Sequence, residues 1–231
     1  MTDATTILLD GLSFPEAPRW HDGKLWFSDF YTHSVVKLGL DGHSETVCKV
    51  INQPSGLGWR PDGTLLIVSM LDRHLLEFTD DGLKAVANLS DFAGGPCNDM
   101  VVDSKGRAYI GNFGFERDAP QATTCIARVD PDGAVTVAAD DLLFPNGTVI
   151  TPDGSTLIVG ETYAQRLTAF DIDADGGLSN RRVFAQFDGV FPDGISLDHE
   201  GAVWVADPVG KRVVRAFDGG RIDREISTGL L

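Results

Sequence analysis

The sequence has few cysteines and no cysteine motif. Its three cysteines, Cys48, Cys97 and Cys125, are far apart, and no CxxC pair occurs among the 231 residues. An odd number at such spacing argues against a disulfide framework and against a thiolate zinc site. The five histidines show no metal-ligand spacing either, so neither residue type predicts a metal centre.

Long apolar segments are also missing. Residues 1–11 carry no basic segment and only a short apolar run at residues 7–9, so no signal peptide is predicted. The longest apolar runs, such as residues 65–68, have the length of a strand and are too short to cross a membrane. We therefore expect a cytoplasmic protein with no membrane partner.

Basic residues are scarce relative to acidic ones. The chain has 19 Lys and Arg against 34 Asp and Glu, which gives a formal net charge of −15. Such a surface repels nucleic acid and anionic lipid, and it suits a protein that binds a cation. The 42% of hydrophobic residues are enough for a packed core. We expect a small-molecule ligand and no nucleic-acid partner.

What the chain does contain is a repeat built on turns. Glycines that follow a charged residue between two apolar runs fall at positions 23, 63, 106, 154 and 201, which are 40, 43, 48 and 47 residues apart. A period of about 40–50 residues with several short strands per unit is typical of β-propeller blades. No helical periodicity extends beyond about two turns. The sequence therefore predicts an all-β fold.

One repeat unit is interpreted as four strands. In the second unit these are residues 45–50, 56–59, 65–69 and 74–78. After the fifth unit, residues 221–227 are assigned to the first strand of a sixth. We predict one domain over residues 1–231, a six-bladed β-propeller with five full blades and an incomplete sixth blade. A five-bladed ring is the alternative.

Each unit opens with a proline loop whose next residue varies. The copies are Phe14-Pro15-Glu16, Phe144-Pro145-Asn146 and Phe191-Pro192-Asp193, with looser ones at Pro54-Ser55 and Pro96-Cys97-Asn98. Equivalent positions of propeller blades lie on one ring, so we expect the variable residues to converge. Carboxylate and amide oxygens suit Ca²⁺, Mg²⁺ or Mn²⁺. The alternative is purely structural turns, and the repeat alone leaves both open.

A second polar position recurs where the second apolar strand of a unit ends. Asp29, Asn112, Glu161 and Asp207 occupy it, and we expect strand-end hydrogen bonds from this set. Asn112 also opens the irregular segment 113–124, which is predicted to be a long loop beside a site. Asn112 is therefore a candidate substrate contact.

Five ordered phrases resemble a known family. They are Phe14-Pro-Glu-Ala-Pro-Arg-Trp, Asn98-Asp-Met-Val-Val-Asp, Gly111-Asn-Phe-Gly, Phe144-Pro-Asn-Gly and Phe191-Pro-Asp-Gly-Ile. Together they resemble the SMP-30/gluconolactonase/LRE family of regucalcin-like lactonases. The resemblance implies a six-bladed propeller with one divalent metal ion in its central channel, with calcium expected first and zinc, magnesium or manganese as alternatives.

The same resemblance implies roles for individual residues. Glu16, Asn146 and Asp193 are implied as metal ligands, and Asp193 also as the catalytic acid/base. Asn98 is implied to lie beside the metal, and Glu116 to match a polar substrate contact. Regucalcin-like members carry an arginine two places before the asparagine, where this chain has Pro96. We therefore expect a physiological substrate other than gluconolactone or gulonolactone.

These inferences lead to one predicted function and two alternatives. We predict a metal-dependent hydrolase that opens a lactone by metal-activated water, with Asp193 as the base. A propeller esterase acting on phosphotriesters or aryl esters is the first alternative, because the same chemistry serves several electrophiles. A non-enzymatic calcium-binding or small-ligand-binding propeller is the second.

Overall fold

The fold consists entirely of antiparallel sheets. A computed structural model describes residues 6–229, and over this range the chain forms twenty strands in five four-stranded sheets. The strands of each sheet are consecutive in the chain, which is the blade arrangement of a β-propeller. The prediction of an all-β propeller is confirmed.

The strands follow one another in groups of four. The first sheet contains β1 (Pro15–His21), β2 (Lys24–Asp29), β3 (Ser34–Leu38) and β4 (Ser44–Lys49), and the second contains β5 (Pro54–Trp59), β6 (Leu65–Ser69), β7 (His74–Thr79) and β8 (Gly82–Asn88). The third contains β9 (Cys97–Val102), β10 (Ala108–Asn112), β11 (Thr124–Val129) and β12 (Val135–Leu142). The fourth contains β13 (Pro145–Ile150), β14 (Thr156–Glu161), β15 (Arg166–Ile172) and β16 (Leu178–Gln186), and the fifth contains β17 (Ile195–Leu197), β18 (Val203–Asp207), β19 (Arg212–Ala216) and β20 (Ile222–Ser227).

The predicted blade count of six is wrong for the described residues, which form five blades. The segment assigned to a sixth blade is β20, and it pairs with β19 as the outermost strand of the fifth sheet. The sequence also assigned β4 to the wrong blade. It was expected to open the second sheet, but it pairs with β3 and closes the first. A strand that follows a turn looks alike in sequence whether it ends one blade or begins the next.

The charged-Gly sequences form the turns that join the first two strands of each blade. Gly63 has φ 87° and its N–H donates to the carbonyl of Arg60 at 2.9 Å. The Asp62 carboxylate accepts the N–H of Thr64 at 2.9 Å. Glycine adopts this left-handed conformation without the steric cost that a Cβ atom brings, so each turn is a local consequence of its sequence.

The hydrophobic core lies between neighbouring sheets. Four clusters join sheets one and two, two and three, three and four, and four and five. A fifth cluster covers the other face of the first sheet, where Leu9 and Leu12 pack against Phe27, Val36 and Leu38. Within residues 6–229, none of these clusters joins the fifth sheet to the first.

The opposite face of the fifth sheet carries both apolar and charged side chains, among them Trp204, Val213 and Arg215. Arg215 pairs with Asp198 at 2.7 Å and with Asp223 at 3.0 Å, and its guanidinium lies 4.8 Å from the ring centroid of Phe217.

Among the described residues, no helix is both long and apolar enough to span a bilayer.

The interface between the third and fourth sheets provides a test of the core. Leu157 is fully buried there against Tyr109 and Ile126. We expect Leu157→Ala to lower the free energy of unfolding by about 2–5 kcal/mol, because it leaves a cavity in a packed interface. Urea denaturation measures the effect. Val137→Ala, at a position that is 52% exposed, should change it by less than about 0.5 kcal/mol, and equal effects would contradict the packing described.

Candidate metal centre

One cavity of about 690 Å³ is lined by residues from all five blades, most of them in the loops between strands. Glu16 lies at the start of β1, Asn98 at the start of β9 and Asn146 at the start of β13, and Asp193 lies two residues before β17. All four line this cavity. The fold therefore brings together the polar residues of four proline loops that are far apart in sequence.

The local backbone explains why each loop presents its variable residue. The pairing register shifts directly after the proline in four of the five copies, at Glu16–Arg19, Pro54–Leu57, Cys97–Met100 and Pro145–Thr148. A β-bulge of this kind re-aims one side chain out of the regular alternation. The glycine that follows has its own role, since a Cβ atom on Gly56 would lie 2.6 Å from the backbone nitrogen of Met100. Glycine lets neighbouring inner strands approach closely.

Three of these loops are each held by a different buried carboxylate, which we call the clamp of that loop. Asp29 accepts the N–H of Phe14 at 2.6 Å, Glu161 accepts that of Leu143 at 2.9 Å, and Asp207 accepts that of Phe191 at 3.2 Å. Each clamp lies at the end of the second strand of its blade. The expectation of strand-end hydrogen bonds at this position is confirmed.

Hydrogen bonds stabilise the charged form of these clamp carboxylates despite their burial. Burial alone raises the pKa of Glu161, but hydrogen bonds from Arg166, Thr168 and the Leu143 N–H outweigh it, and its pKa is lowered. Burial also raises the pKa of Asp29, and the bonds from Phe14 and Thr32 outweigh it in the same way. Charged and fully hydrogen-bonded carboxylates have little capacity left for a metal ion.

The two carboxylates at the base of the cavity, Glu16 and Asp193, have raised pKa values instead. Burial, together with the neighbouring charges of Asp193 and Asp99, raises the pKa of Glu16 to about 8. Burial likewise raises the pKa of Asp193, only partly opposed by the Asn146 amide, and Asp99 adds to the rise. Arg19 donates to Asp99 at 2.6 Å and to the Met100 carbonyl at 2.8 Å, so its charge is engaged by Asp99.

This donor set fits a hard divalent cation. The charge of Asp193 raises the pKa of Glu16, the charge of Arg19 offsets this only in part, and a cation would stabilise the charged forms of both carboxylates. The Asn146 Nδ2 donates to Asp193 Oδ1 at 2.7 Å, which leaves the Asn146 carbonyl oxygen for a cation. Within residues 6–229, no group of three or more His, Cys, Asp and Glu is arranged to hold a metal. The candidate site is a mixed set of carboxylate and amide oxygens.

The other predicted contacts divide into two groups. Asn98 and Glu116 line the cavity, and Glu116 also forms an ion pair with Arg73. Asn112 does not line it. Its amide donates to the Cys125 carbonyl at 2.9 Å and accepts from Thr124 at 2.7 Å, so Asn112 orders the start of the loop. Its role as a substrate contact stays a prediction, which this geometry does not favour.

Sequence reasoning overlooked two groups beside the site. One is the Arg19–Asp99 pair described above. The other is Thr162, whose hydroxyl donates to the Pro192 carbonyl at 2.6 Å and accepts from Asn146 at 3.3 Å. Thr162 thereby joins the fourth and fifth proline loops. The polar pair Asn98-Asp99 within an apolar strand was the signal available for Asp99, whereas nothing in the sequence marked Thr162.

The sequence of this chain matches a known protein family. The model of the SMP-30/gluconolactonase/LRE-like region matches residues 14–230. The chain belongs to this family. The resemblance drawn from the five sequence phrases is thereby confirmed.

Individual relatives within this family share the fold at modest identity. The 6-deoxy-6-sulfogluconolactonase of Pseudomonas putida is 26% identical over 91% of this chain and 74% of that protein. A gluconolactonase structure from Xanthomonas campestris superposes with a TM-score of 0.81 at 26% identity, covering 96% of this chain and 78% of that one. The calcium-binding protein regucalcin from Agrobacterium tumefaciens gives 0.79 at 26% identity, covering 94% and 75%.

The raised pKa of Glu16 predicts a pH dependence of stability in the chelated protein. Unfolded Glu16 ionises near pH 4.5, whereas the folded residue stays protonated up to about pH 8. The unfolded state therefore binds fewer protons between these values, so stability falls as pH rises through that window. Thermal unfolding between pH 5 and 8 in chelator measures the slope. Glu16→Gln should flatten it, while the exposed Glu45→Gln should not; an unchanged slope in Glu16→Gln would contradict the assignment.

The clamp at Asp207 predicts an effect on both stability and cation binding. Asp207→Asn keeps the size of the side chain but removes its charge from the Phe191 N–H and from Arg212, which donates to Asp207 at 2.8 Å. We expect a loss of about 1–3 kcal/mol in unfolding free energy and weaker calcium binding, because the loop carrying Asp193 loses its anchor. Urea denaturation and calcium titration calorimetry measure the two. Calcium affinity equal to that of the parent protein would show that the clamp does not position Asp193.

Proposed function

We propose that this chain is a metal-dependent hydrolase that opens a lactone. The observation that carries the proposal is the pair of half-buried carboxylates with raised pKa values, Glu16 and Asp193, in a cavity beside two amide side chains. Family membership supports the reaction class, since relatives named as gluconolactonases and as a sulfogluconolactonase match most of the chain. Lactone opening is hydrolysis of a carboxylic ester within a ring.

The proposed cofactor is one divalent cation held by Glu16, Asn146 and Asp193. Calcium is the first choice because the donors are hard oxygens and because a structural relative is described as calcium-binding. Zinc, magnesium and manganese are the other candidates. When bound, such a cation supplies Lewis-acid polarisation of the ester carbonyl.

Asp193 is the proposed general acid/base. Its Oδ1 accepts the Asn146 amide, so Oδ2 is the oxygen placed to take a proton from the attacking water. The water oxygen bonds to the lactone carbonyl carbon, the ring C–O bond breaks, and Asp193 returns the proton to the released alkoxide, giving a hydroxy acid. A pKa raised by burial brings the carboxylate closer to neutral pH, which strengthens it as a base. Asn98 at the cavity base is the proposed contact to the substrate.

Cation binding without turnover is the second candidate. The paired carboxylates favour a cation whether or not a reaction follows, and regucalcin from Agrobacterium tumefaciens is named a calcium-binding protein. Activity and cation binding therefore have to be measured separately.

A panel of lactones and aryl esters, assayed with each of the four cations after chelation, tests the proposal. We expect hydrolysis that depends on the added cation, and a fall of about 10²–10⁴-fold in kcat/KM for Asp193→Asn because proton transfer is lost. We also expect calcium to raise the midpoint of thermal unfolding of the chelated protein, because a ligand bound only by the folded state stabilises it.

The matched control is Asp188→Asn, which removes an exposed carboxylate from the loop that precedes Asp193. Its activity should equal that of the parent protein. Full activity in Asp193→Asn would exclude it as the base. Calcium stabilisation without hydrolysis of any substrate in the panel would favour the binding protein over the enzyme.

A further inference from the structure

The walls of the cavity differ sharply in chemistry from its base. The base carries the polar residues Glu16, Asn98, Asn146 and Asp193, whereas most other lining residues are apolar or aromatic. The phenylalanine that precedes the proline in three loop copies belongs to these walls: Phe14, Phe144 and Phe191. The same short motif therefore supplies an oxygen atom to the base and an aromatic ring to the wall.

One wall of the cavity consists of aromatic rings that contact one another. Phe113 stacks on Phe144 with ring centroids 4.5 Å apart, and Tyr163 meets Phe144 edge-on at 5.1 Å. Aromatic pairs at these distances and angles stabilise each other beyond simple contact. The wall is a prearranged apolar surface that a ligand meets without reordering it.

A second aromatic group lies on the first sheet. Phe14 stacks on Phe30 at 5.3 Å and contacts Tyr31 edge-on at 5.8 Å. At the rim, Tyr31, Leu71 and Val209 are 56%, 52% and 66% exposed. Exposed apolar side chains gathered around one concave site mark a ligand-binding surface.

Apart from the hydroxyl groups of Tyr31 and Tyr163, the walls carry four polar side chains within residues 6–229, those of Gln53, Glu116, Arg117 and Thr162. Thr162 donates to the Pro192 carbonyl, and Glu116 is paired with Arg73. Pro96 also lines the cavity and has no hydrogen-bond donor. Hydroxyl groups placed against aromatic rings would lose their bonds to water without replacement, which is costly.

Resting on the proposed lactone hydrolysis, we propose that the cavity selects lactones whose ring carries an apolar substituent over polyhydroxylated sugar lactones. The lactone ring lies at the polar base, and an alkyl or aryl substituent lies between the aromatic walls. A cavity of about 690 Å³ has the size typical of sites for small organic ligands.

Two six-membered lactones that share the reacting group test the selection. δ-Decalactone carries a pentyl chain, and glucono-δ-lactone carries hydroxyl groups. We expect kcat/KM for δ-decalactone to be at least about tenfold higher, since burial of even one or two methylenes discriminates to that extent. Equal values, or a preference for glucono-δ-lactone, would overturn the proposal.

A rim variant with a matched control locates the selectivity in the cavity. Leu71→Asn should lower kcat/KM for δ-decalactone about three- to tenfold more than that for glucono-δ-lactone, because it replaces apolar contact surface at the rim. Val137→Asn, at an equally exposed position (52%) that does not line the cavity, should change neither value. An equal loss on both substrates in Leu71→Asn would contradict a role in selectivity.

Binding measurements separate this proposal from the hydrolysis on which it rests. Lactam analogues of the two compounds resist hydrolysis, and titration calorimetry of the calcium-loaded protein reports their affinities directly. Preferential binding of the pentyl-substituted lactam without any lactone turnover would keep the ligand class and reject the enzyme. Equal or stronger binding of the hydroxylated lactam, or no binding of either, would reject the ligand class.

Discussion

The structure depends on holding two poorly compensated carboxylates together. Glu16 and Asp193 share the base of one cavity with Asp99 nearby, and the adjacent Arg19 is committed to Asp99. Collecting like charges away from water is unfavourable without a cation. The surrounding sheets must therefore supply enough stability to hold this arrangement, and four inter-sheet clusters packed around it do so.

Within a blade, the roles are divided between two positions on the first two strands. The residue after the proline is aimed into the cavity by a bulge, and a buried carboxylate at the end of the second strand holds the loop that precedes it. In the first blade, Glu16 carries a charge that a cation would stabilise, whereas the charge of Asp29 is stabilised by the Phe14 N–H and the Thr32 hydroxyl. Two carboxylates from one repeat thus have opposite electrostatic environments, and only one of them is available for chemistry.

Much of the site was predictable because the repeat encodes it. Glu16, Asn146 and Asp193 were chosen from equivalent loop positions and Asn98 from a position displaced by one residue, and all four line one cavity. The blade count was not predictable in this way, since β4 and β20 carry no local mark that assigns them to the preceding blade. Asn112 could not be resolved either, because a polar residue at a strand end bonds to its own loop or faces a ligand depending on the side to which the loop folds.

The sequence by itself determined the strands, their turns and the period of the repeat, because apolar alternation and left-handed glycines act over a few residues. Tertiary structure alone decided which sheet each outer strand joins, how Thr162 links two loops, and that the phenylalanines of the proline motif form the walls of the cavity. These features arise from contacts between blades tens of residues apart. Local sequence specifies the shape of each blade, whereas the packing of blades around a common axis decides which side chains meet.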